Sequence, residues 1–142
     1  MYTVTDNCSA EDIYAIDKLC FPNEYWSIDT ISRDIKSAIY LVCKCGMETI
    51  GYASASCVLD EAELTRIAVK ASYRRKGIAT LLINKLISTL RDKGCTVLML
   101  EVRSRNDSAL NLYDSLGFKA YACRKSYYHN PDDDAVLMSV KI

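Results

Sequence analysis

The stretch from Gly77 to Val102 constrains the fold of this chain more than any other. Ile78, Leu81, Leu82, Leu86 and Leu90 recur at the three- and four-residue spacing of a helix with one apolar face. Lys93 and Gly94 then mark its end, because glycine adopts the left-handed conformation of a helix stop without steric cost. Thr96 to Val102 follows as an almost unbroken apolar strand, which suits a central place in a sheet covered on both faces. A helix with one stripe to bury, leading into a strand with two faces to bury, requires layered α and β structure.

The remaining segments extend that pattern. Tyr2 to Thr5 reads as a short strand. Ser9, followed by Glu11 and Asp12, is a helix start, and Ile13, Ile16 and Leu19-Cys20 give its stripe. Phe21 to Trp26 reads as a loop, after which Ser27 caps a second helix carrying Ile28, Ile31 and Ile35. Ile39 to Lys44 and Thr49 to Leu59 form a hairpin about Gly46-Met47, and Ala62 to Val69 is a further strand. Asn106 opens a helix bearing Ala109, Leu112, Tyr113 and Leu116, stopped at Gly117. Phe118 to Arg124 and Ala135 to Val140 are the last strands. The fold class expected is α/β, an α+β sandwich with a central mixed sheet of about seven strands flanked by about four helices. A length of 142 residues suits one domain over 1–142.

Eighteen basic residues balance eighteen acidic ones, so neither a nucleic-acid binder nor a membrane-surface binder is expected. The first dozen residues include Asp6, Glu11 and Asp12, unlike a secretory signal, and no apolar run approaches the roughly 18 residues that cross a bilayer. Seven cysteines, odd in number and set among apolar neighbours such as Leu19-Cys20-Phe21 and Ser56-Cys57-Val58, are expected as reduced, buried thiols of a cytoplasmic protein. Cys43 and Cys45 share a strand face with no second pair to complete a zinc site, and His129 is the single histidine, so no metal is expected.

Arg74, Arg75 and Lys76 stand just before the helix that starts near Gly77. Cations are unfavourable there by roughly 0.3–1 kcal/mol each, because a helix N-terminus carries partial positive charge. Ile78-Ala79-Thr80 supplies no acid to offset them, whereas the helix after Ser9 supplies two. An anion docked on the backbone N–H groups of Gly77, Ile78 and Ala79 removes the conflict. Read alone, the segment is equally a solvated basic turn.

Its surroundings decide between the two. Val69-Lys70-Ala71-Ser72-Tyr73-Arg74-Arg75-Lys76-Gly77-Ile78-Ala79 resembles the acetyl-CoA motif Q/R-x-x-G-x-G/A of the GNAT superfamily of N-acetyltransferases. Leu100-Glu101-Val102-Arg103, then Asn106, Ala109, Leu112-Tyr113 and Leu116-Gly117-Phe118, resemble the second half of that fold. Phe21-Pro22 with Trp26-Ser27, Leu59 to Ala62 with Ile67 to Val69, and Tyr127-Tyr128 with Asp134-Ala135 are similar to the RimI-type branch, the ribosomal-protein alanine N-acetyltransferases. Arg105 departs from the branch, which has a small residue before the asparagine.

The resemblance implies acetyl-CoA as acyl donor. Ile67, Ala68 and Val69 would meet its pantetheine arm through backbone groups. Arg74 and the segment Arg75, Lys76, Gly77, Ile78, Ala79 and Thr80 would cradle its pyrophosphate, and Asn106 would hydrogen-bond it. Glu101 would be general base and Tyr113 general acid. The acceptor implied is the N-terminal alanine of small-subunit ribosomal protein eighteen, with the enzyme a monomer or weak dimer. Other protein N-termini, lysines, a small amine, or acetyl-CoA binding without turnover are the alternatives.

The chemistry suits these groups. A protein α-amine, of pKa about 7.7–8.0, needs less help to lose its proton than a lysine near about 10.4. A carboxylate such as Glu101 takes that proton directly or through a water, and a phenol such as Tyr113 protonates the departing thiolate. Each has a structural alternative: Glu101 as an ion-pair partner of Arg66 or Arg103, Tyr113 as a core residue. A backbone N–H of the Ile67 to Val69 strand is the expected oxyanion donor. Trp26, Tyr127 and Tyr128 would line a peptide groove as loop aromatics, with Glu63 beside them. Asp132-Asp133-Asp134, a solvated turn on its own, would with Glu61 and Glu63 steer a basic substrate tail.

Overall fold

The computed structural model describes residues 1–142. Its elements are β1 (Tyr2–Thr5), α1 (Ala10–Cys20), α2 (Ile28–Asp34), β2 (Ile39–Cys45), β3 (Glu48–Val58), β4 (Glu61–Val69), a 3-10 turn (Ala71–Tyr73), α3 (Ile78–Asp92), β5 (Val97–Arg103), α4 (Asp107–Ser115), β6 (Lys119–Tyr128) and β7 (Asp133–Lys141). The seven strands form one sheet in the order β1-β2-β3-β4-β5-β7-β6. It is mixed, as expected: β4 and β5 run parallel, while β1–β2, β2–β3, β5–β7 and β6–β7 are antiparallel. The apolar strand β5 lies inside the sheet, between β4 and β7.

The chain divides into two compact units, Met1–Ser56 with Thr65–Thr89, and Cys57–Leu64 with Leu90–Ile142. In the first, Ile13 and Ile16 of α1, Ile31 of α2, Tyr40 and Val42 of β2, Tyr52 of β3 and Ala68 of β4 form one buried cluster. Full burial of each such aliphatic side chain contributes about 1.5–3 kcal/mol. Helix starts follow from local chemistry: Ser9 Oγ accepts from Asp12 N at 3.2 Å, and Ser27 Oγ from Thr30 N at 3.1 Å. Gly51 is required by close approach, since a Cβ there would stand 2.9 Å from the carbonyl oxygen of Ala68.

Two residues of the expected stripes face outward. Leu19 is 68% and Leu81 41% exposed, while Asp17 and Ile83 are fully buried. The helical geometry explains both: Asp17 stands four residues from Ile13, and Ile83 lies about 20° from Leu90, next to the arc of Leu82, Leu86 and Leu90, whereas Leu81 lies about 100° to the other side of Leu82.

In the second unit, β5 pairs with β7 along its whole length, Val97↔Lys141 to Arg103↔Ala135. Strand β6 runs four residues beyond the expected end at Arg124, so Tyr127 and Tyr128 belong to a strand rather than a loop. A register shift between Arg124 and Tyr128 hides this in the sequence: Ser126 has φ of 51°, and its N–H donates to Asp134 Oδ1 at 2.8 Å. Four steps on β6 from Arg124 to Tyr128 oppose two on β7, and the two extra residues interrupt the alternation that marks a strand. The cysteines also divide. Cys43 and Cys95 are buried, Cys8, Cys20 and Cys45 half-buried, and Cys57 and Cys123 exposed. Cys57 stands where β3 runs out into solvent, and its Sγ lies 2.7 Å from that of Cys95. Burial, then the neighbouring Cys57, pushes the Cys95 thiol up to about 11.

Candidate active site

In the first unit, β4 ends at Val69 and a single 3-10 turn leads to the basic segment. Arg74 is extended, and its Nε donates to the carbonyl oxygen of Val69 at 3.0 Å, which bends the side chain back onto the strand end. Arg75 and Gly77 have φ of 62° and 79°. The positive φ, rather than tight packing, is what requires glycine at 77, because a Cβ there would meet no atom within 4 Å. Gly77 precedes the first residue of α3 and has no side chain with which to cap it. The first turn holds no acid. Arg74, Arg75, Lys76 and Gly77 are exposed, and Ile78 is buried beneath them. The four N–H groups that open any helix have no partner within it, so this end presents donors, a dipole and cations to one anion.

Ile67 and Val69 are half-buried and Ala68 is buried in the core of the same unit. Trp26 is half-buried against that core. Arg66, one alternative partner of Glu101, is held instead by Asp17 at 3.0 Å.

The second unit carries Glu101 and Tyr113, the two residues expected as base and acid. Glu101 lies on β5 with 26% of its side chain exposed, and Arg124 of β6 reaches to 3.9 Å. Arg124, rather than Arg66 or Arg103, is therefore its cationic neighbour. Arg103 instead donates to the carbonyls of Pro131 and His129 and lies 4.4 Å from the Tyr128 ring centroid. Tyr127 and Tyr128 meet edge to face at 5.1 Å, with Arg124 5.4 Å from the Tyr127 ring. Burial and then the Glu101 charge raise the Tyr128 hydroxyl. These residues form one polar, aromatic surface at the ends of β5 and β6.

Tyr113 is buried on α4, its ring 5.6 Å from that of Phe118. Burial first, then Tyr128, pushes its hydroxyl up to about 12, so it holds its proton throughout the neutral range. Asn106 caps α4, with Oδ1 accepting from Ala109 N at 3.1 Å. That bond uses the amide oxygen and leaves the two amide N–H groups free to donate. Glu63 is exposed on β4, in register with Met99 of β5.

The acidic run 132–134 is not a solvated turn. Asp133 is buried, accepting from the Ser104 hydroxyl and from Arg105 N at 3.2 Å. The Ser104 bond holds its carboxyl below the usual range. Asp134 accepts from Ser126 N and pairs with Lys125 at 3.4 Å. These two acids shape the approach to Asn106 and the β6 bulge, which leaves Asp132 as the exposed acid of the three.

The sequence profile of the acetyltransferase (GNAT) family matches residues 10–118. This chain belongs to that family. Among GNAT relatives, it is 37% identical over 137 residues to a [ribosomal protein bS18]-alanine N-acetyltransferase from Haemophilus influenzae, covering 93% of this chain and 92% of that one. A protein of the same name from Escherichia coli K12 is 42% identical over 93 residues, 64% of this chain. That match spans 63% of the relative's own length. The crystal structure of the ribosomal-protein-S18-alanine N-acetyltransferase from Escherichia coli superposes with a TM-score of 0.91 at 31% identity, covering all of this chain and 94% of that one. A GNAT acetyltransferase from Elizabethkingia anophelis with acetyl-CoA bound has the same fold, with a TM-score of 0.81 at 20% identity.

Sequence reading left Arg124 and the Asp17–Arg66 pairing unassigned, and took Asp133 only as one of an acidic run. Asp17 carried a signal, an acid spaced at i+4 from Ile13 on a buried face. The place of Arg124 beside Glu101 and the bonds of Asp133 to Ser104 and Arg105 carried none, because the order and register of the strands set them.

Proposed function

We propose that this GNAT chain transfers an acetyl group from acetyl-CoA to a protein N-terminal amine, with the alanine of ribosomal protein bS18 as acceptor. The observation that carries the reading is the N-terminus of α3, where an uncapped helix end, three exposed cations and a glycine at φ of 79° meet with no acid in the first turn. That combination fits a pyrophosphate and has no stabilising role of its own. The relatives from Haemophilus influenzae and Escherichia coli support the choice of acceptor by their names. Modification of a ribosomal protein agrees with a cytoplasmic location.

Bound acetyl-CoA supplies the thioester carbonyl. Arg74 to Thr80 hold its phosphates through backbone N–H groups and cations, Ile67 to Val69 offer strand backbone to its arm, and Asn106 donates from its amide nitrogen. Glu101 takes the amine proton, directly or through a water, and Arg124 keeps the carboxylate oriented on β5. Tyr113, protonated at neutral pH, donates to the departing sulfur. Trp26, Tyr127 and Tyr128 receive the first residues of the acceptor. The chain acts as a monomer or weak dimer.

Peptides beginning with Ala, Ser, Gly or Met, incubated with acetyl-CoA, test this through free-thiol release. Release with the Ala peptide ahead of the others is expected. Release only with internal lysines contradicts the N-terminal reading, and tight acetyl-CoA binding with no release from any peptide contradicts catalysis.

A further inference from the structure

One carboxylate gathers four donors from three parts of the first unit. Asp17, on the apolar face of α1, is fully buried. Its Oδ1 accepts from the Tyr52 hydroxyl at 2.6 Å and from Arg66 Nε at 3.0 Å. Its Oδ2 accepts from Trp26 N at 2.8 Å and from Arg66 Nη2 at 3.2 Å. Arg66 Nη2 also donates to the carbonyl oxygen of Glu24 at 2.7 Å. The guanidinium carbon stands 4.1 Å from the Phe21 ring centroid and 4.5 Å from that of Trp26.

The segment between α1 and α2, residues 21–27, has no regular backbone ladder to hold it. Two of its main-chain groups and both of its apolar aromatic rings are instead fixed by this one ion pair. Only arginine does all of this at once: its fork meets both carboxylate oxygens while its flat faces lie against the rings. The other charged and titratable groups packed around the pair point the same way. Burial and Asp17 raise the Tyr52 hydroxyl, which keeps it a donor. Tyr40 stacks on Tyr52 at 6.1 Å and donates to Asp34 Oδ2 of α2 at 2.6 Å, so both helices flanking the loop are tied to the same polar centre. On a strand, alternate side chains face opposite ways, so Arg66 and Ala68 share the core side of β4 and Ile67 faces the other.

We infer that Arg66, held by Asp17, is a positioning residue that sets the Phe21–Trp26 loop in one conformation and thereby governs acceptor recognition. Its partners are Asp17, Glu24 O and the Phe21 and Trp26 rings, so it acts through Trp26. The inference rests on the proposed N-terminal acetylation for what the loop recognises, but not for the fact that Arg66 holds it.

Trp26 is the single tryptophan, so its emission reports on the loop directly. In Arg66→Lys the charge beside Asp17 is kept while the fork and the flat face are lost. Its Trp26 emission should move to the red and its quenching by acrylamide should at least about double, because the ring loses its guanidinium cover. The KM for the Ala-initiated peptide should rise roughly tenfold, with kcat within about twofold and the acetyl-CoA KM unchanged, as loss of acceptor placement alone requires. Arg66→Met, which strands a buried carboxylate, should lose cooperative thermal unfolding where Arg66→Lys retains it. Parent-like Trp26 emission and quenching in Arg66→Lys would overturn the positioning role. A changed emission with an unchanged peptide KM, or with equal rises in the peptide and acetyl-CoA KM, would overturn the link to acceptor recognition. A parent protein that turns over none of the peptides contradicts the proposed function and this link together, while Trp26 emission still decides whether Arg66 holds the loop.

Discussion

The N-termini of α1 and α3 belong to the same compact unit and solve the same electrostatic problem in opposite ways. At α1, Ser9 caps the backbone and Glu11 and Asp12 face the positive end of the dipole. At α3, glycine stands in the capping position, no acid enters the first turn, and Arg74, Arg75 and Lys76 add charge of the wrong sign. The other capped helices side with α1: Ser27 precedes Asp29 in α2, and Asn106 precedes Asp107 in α4. A chain that can cap three helices and leaves the fourth bare has given up stability at that end, and a bound anion is the physical reason available.

Substitutions that make α3 resemble α1 should damage donor binding in proportion to how directly they touch the anion seat. Gly77→Val should have the largest effect, raising the acetyl-CoA KM about a hundredfold, because a β-branched residue is strained at φ of 79° and fills the space a phosphate would occupy. Isothermal titration with acetyl-CoA checks it, and parent-like affinity breaks the contrast. Thr80→Glu gives α3 the acid it lacks. It should weaken acetyl-CoA about tenfold and raise stability by about 0.3–1 kcal/mol in thermal unfolding, two opposite changes from one residue. The reciprocal control is Ser9→Ala, expected to cost about 1 kcal/mol of stability and to leave acetyl-CoA affinity unchanged.

The chemistry of the second unit sharpens the contrast differently. Tyr113→Phe should lower kcat by more than about tenfold with acetyl-CoA binding kept, since the lost proton matters in the reaction and not in donor binding. Its pH dependence is the smallest effect expected. Burial raises the Tyr113 hydroxyl to about 12, so the folded state favours the neutral phenol. That contribution is complete below the ordinary value near about 10 and is lost only as pH rises through about 12. Between roughly pH 7 and 9, kcat should show no decline from this group. An alkaline fall in that interval that vanishes in Tyr113→Phe would contradict the assignment.

Most of the fold was legible because it rests on local signals. Ser9, Ser27 and Asn106 announced their helices, Gly94 and Gly117 ended two, and the apolar run of β5 marked an inner strand. The bare, basic start of α3 was legible for the same reason, since helix polarity and the sign of nearby charges are both local. Long-range pairing was not. Asp17 finds Arg66 across 49 residues, and Ser104 finds Asp133 across 29. Tyr127 and Tyr128 lie on a strand and not in the supposed loop, because the two extra residues between Arg124 and Tyr128, at the bend marked by Ser126, break the alternation by which strands are recognised. Arg105 departs from the branch pattern, yet its backbone N–H serves the ordinary task of holding Asp133.

The bare end of α3 is tested most directly by amide resonances in a titration with acetyl-CoA. The N–H groups of Gly77, Ile78, Ala79 and Thr80 should shift strongly and gain protection from exchange at saturation, while those of Ala10 to Ile13, already capped by Ser9, should not move. Saturated binding with the Gly77 to Thr80 amides unshifted would contradict the account.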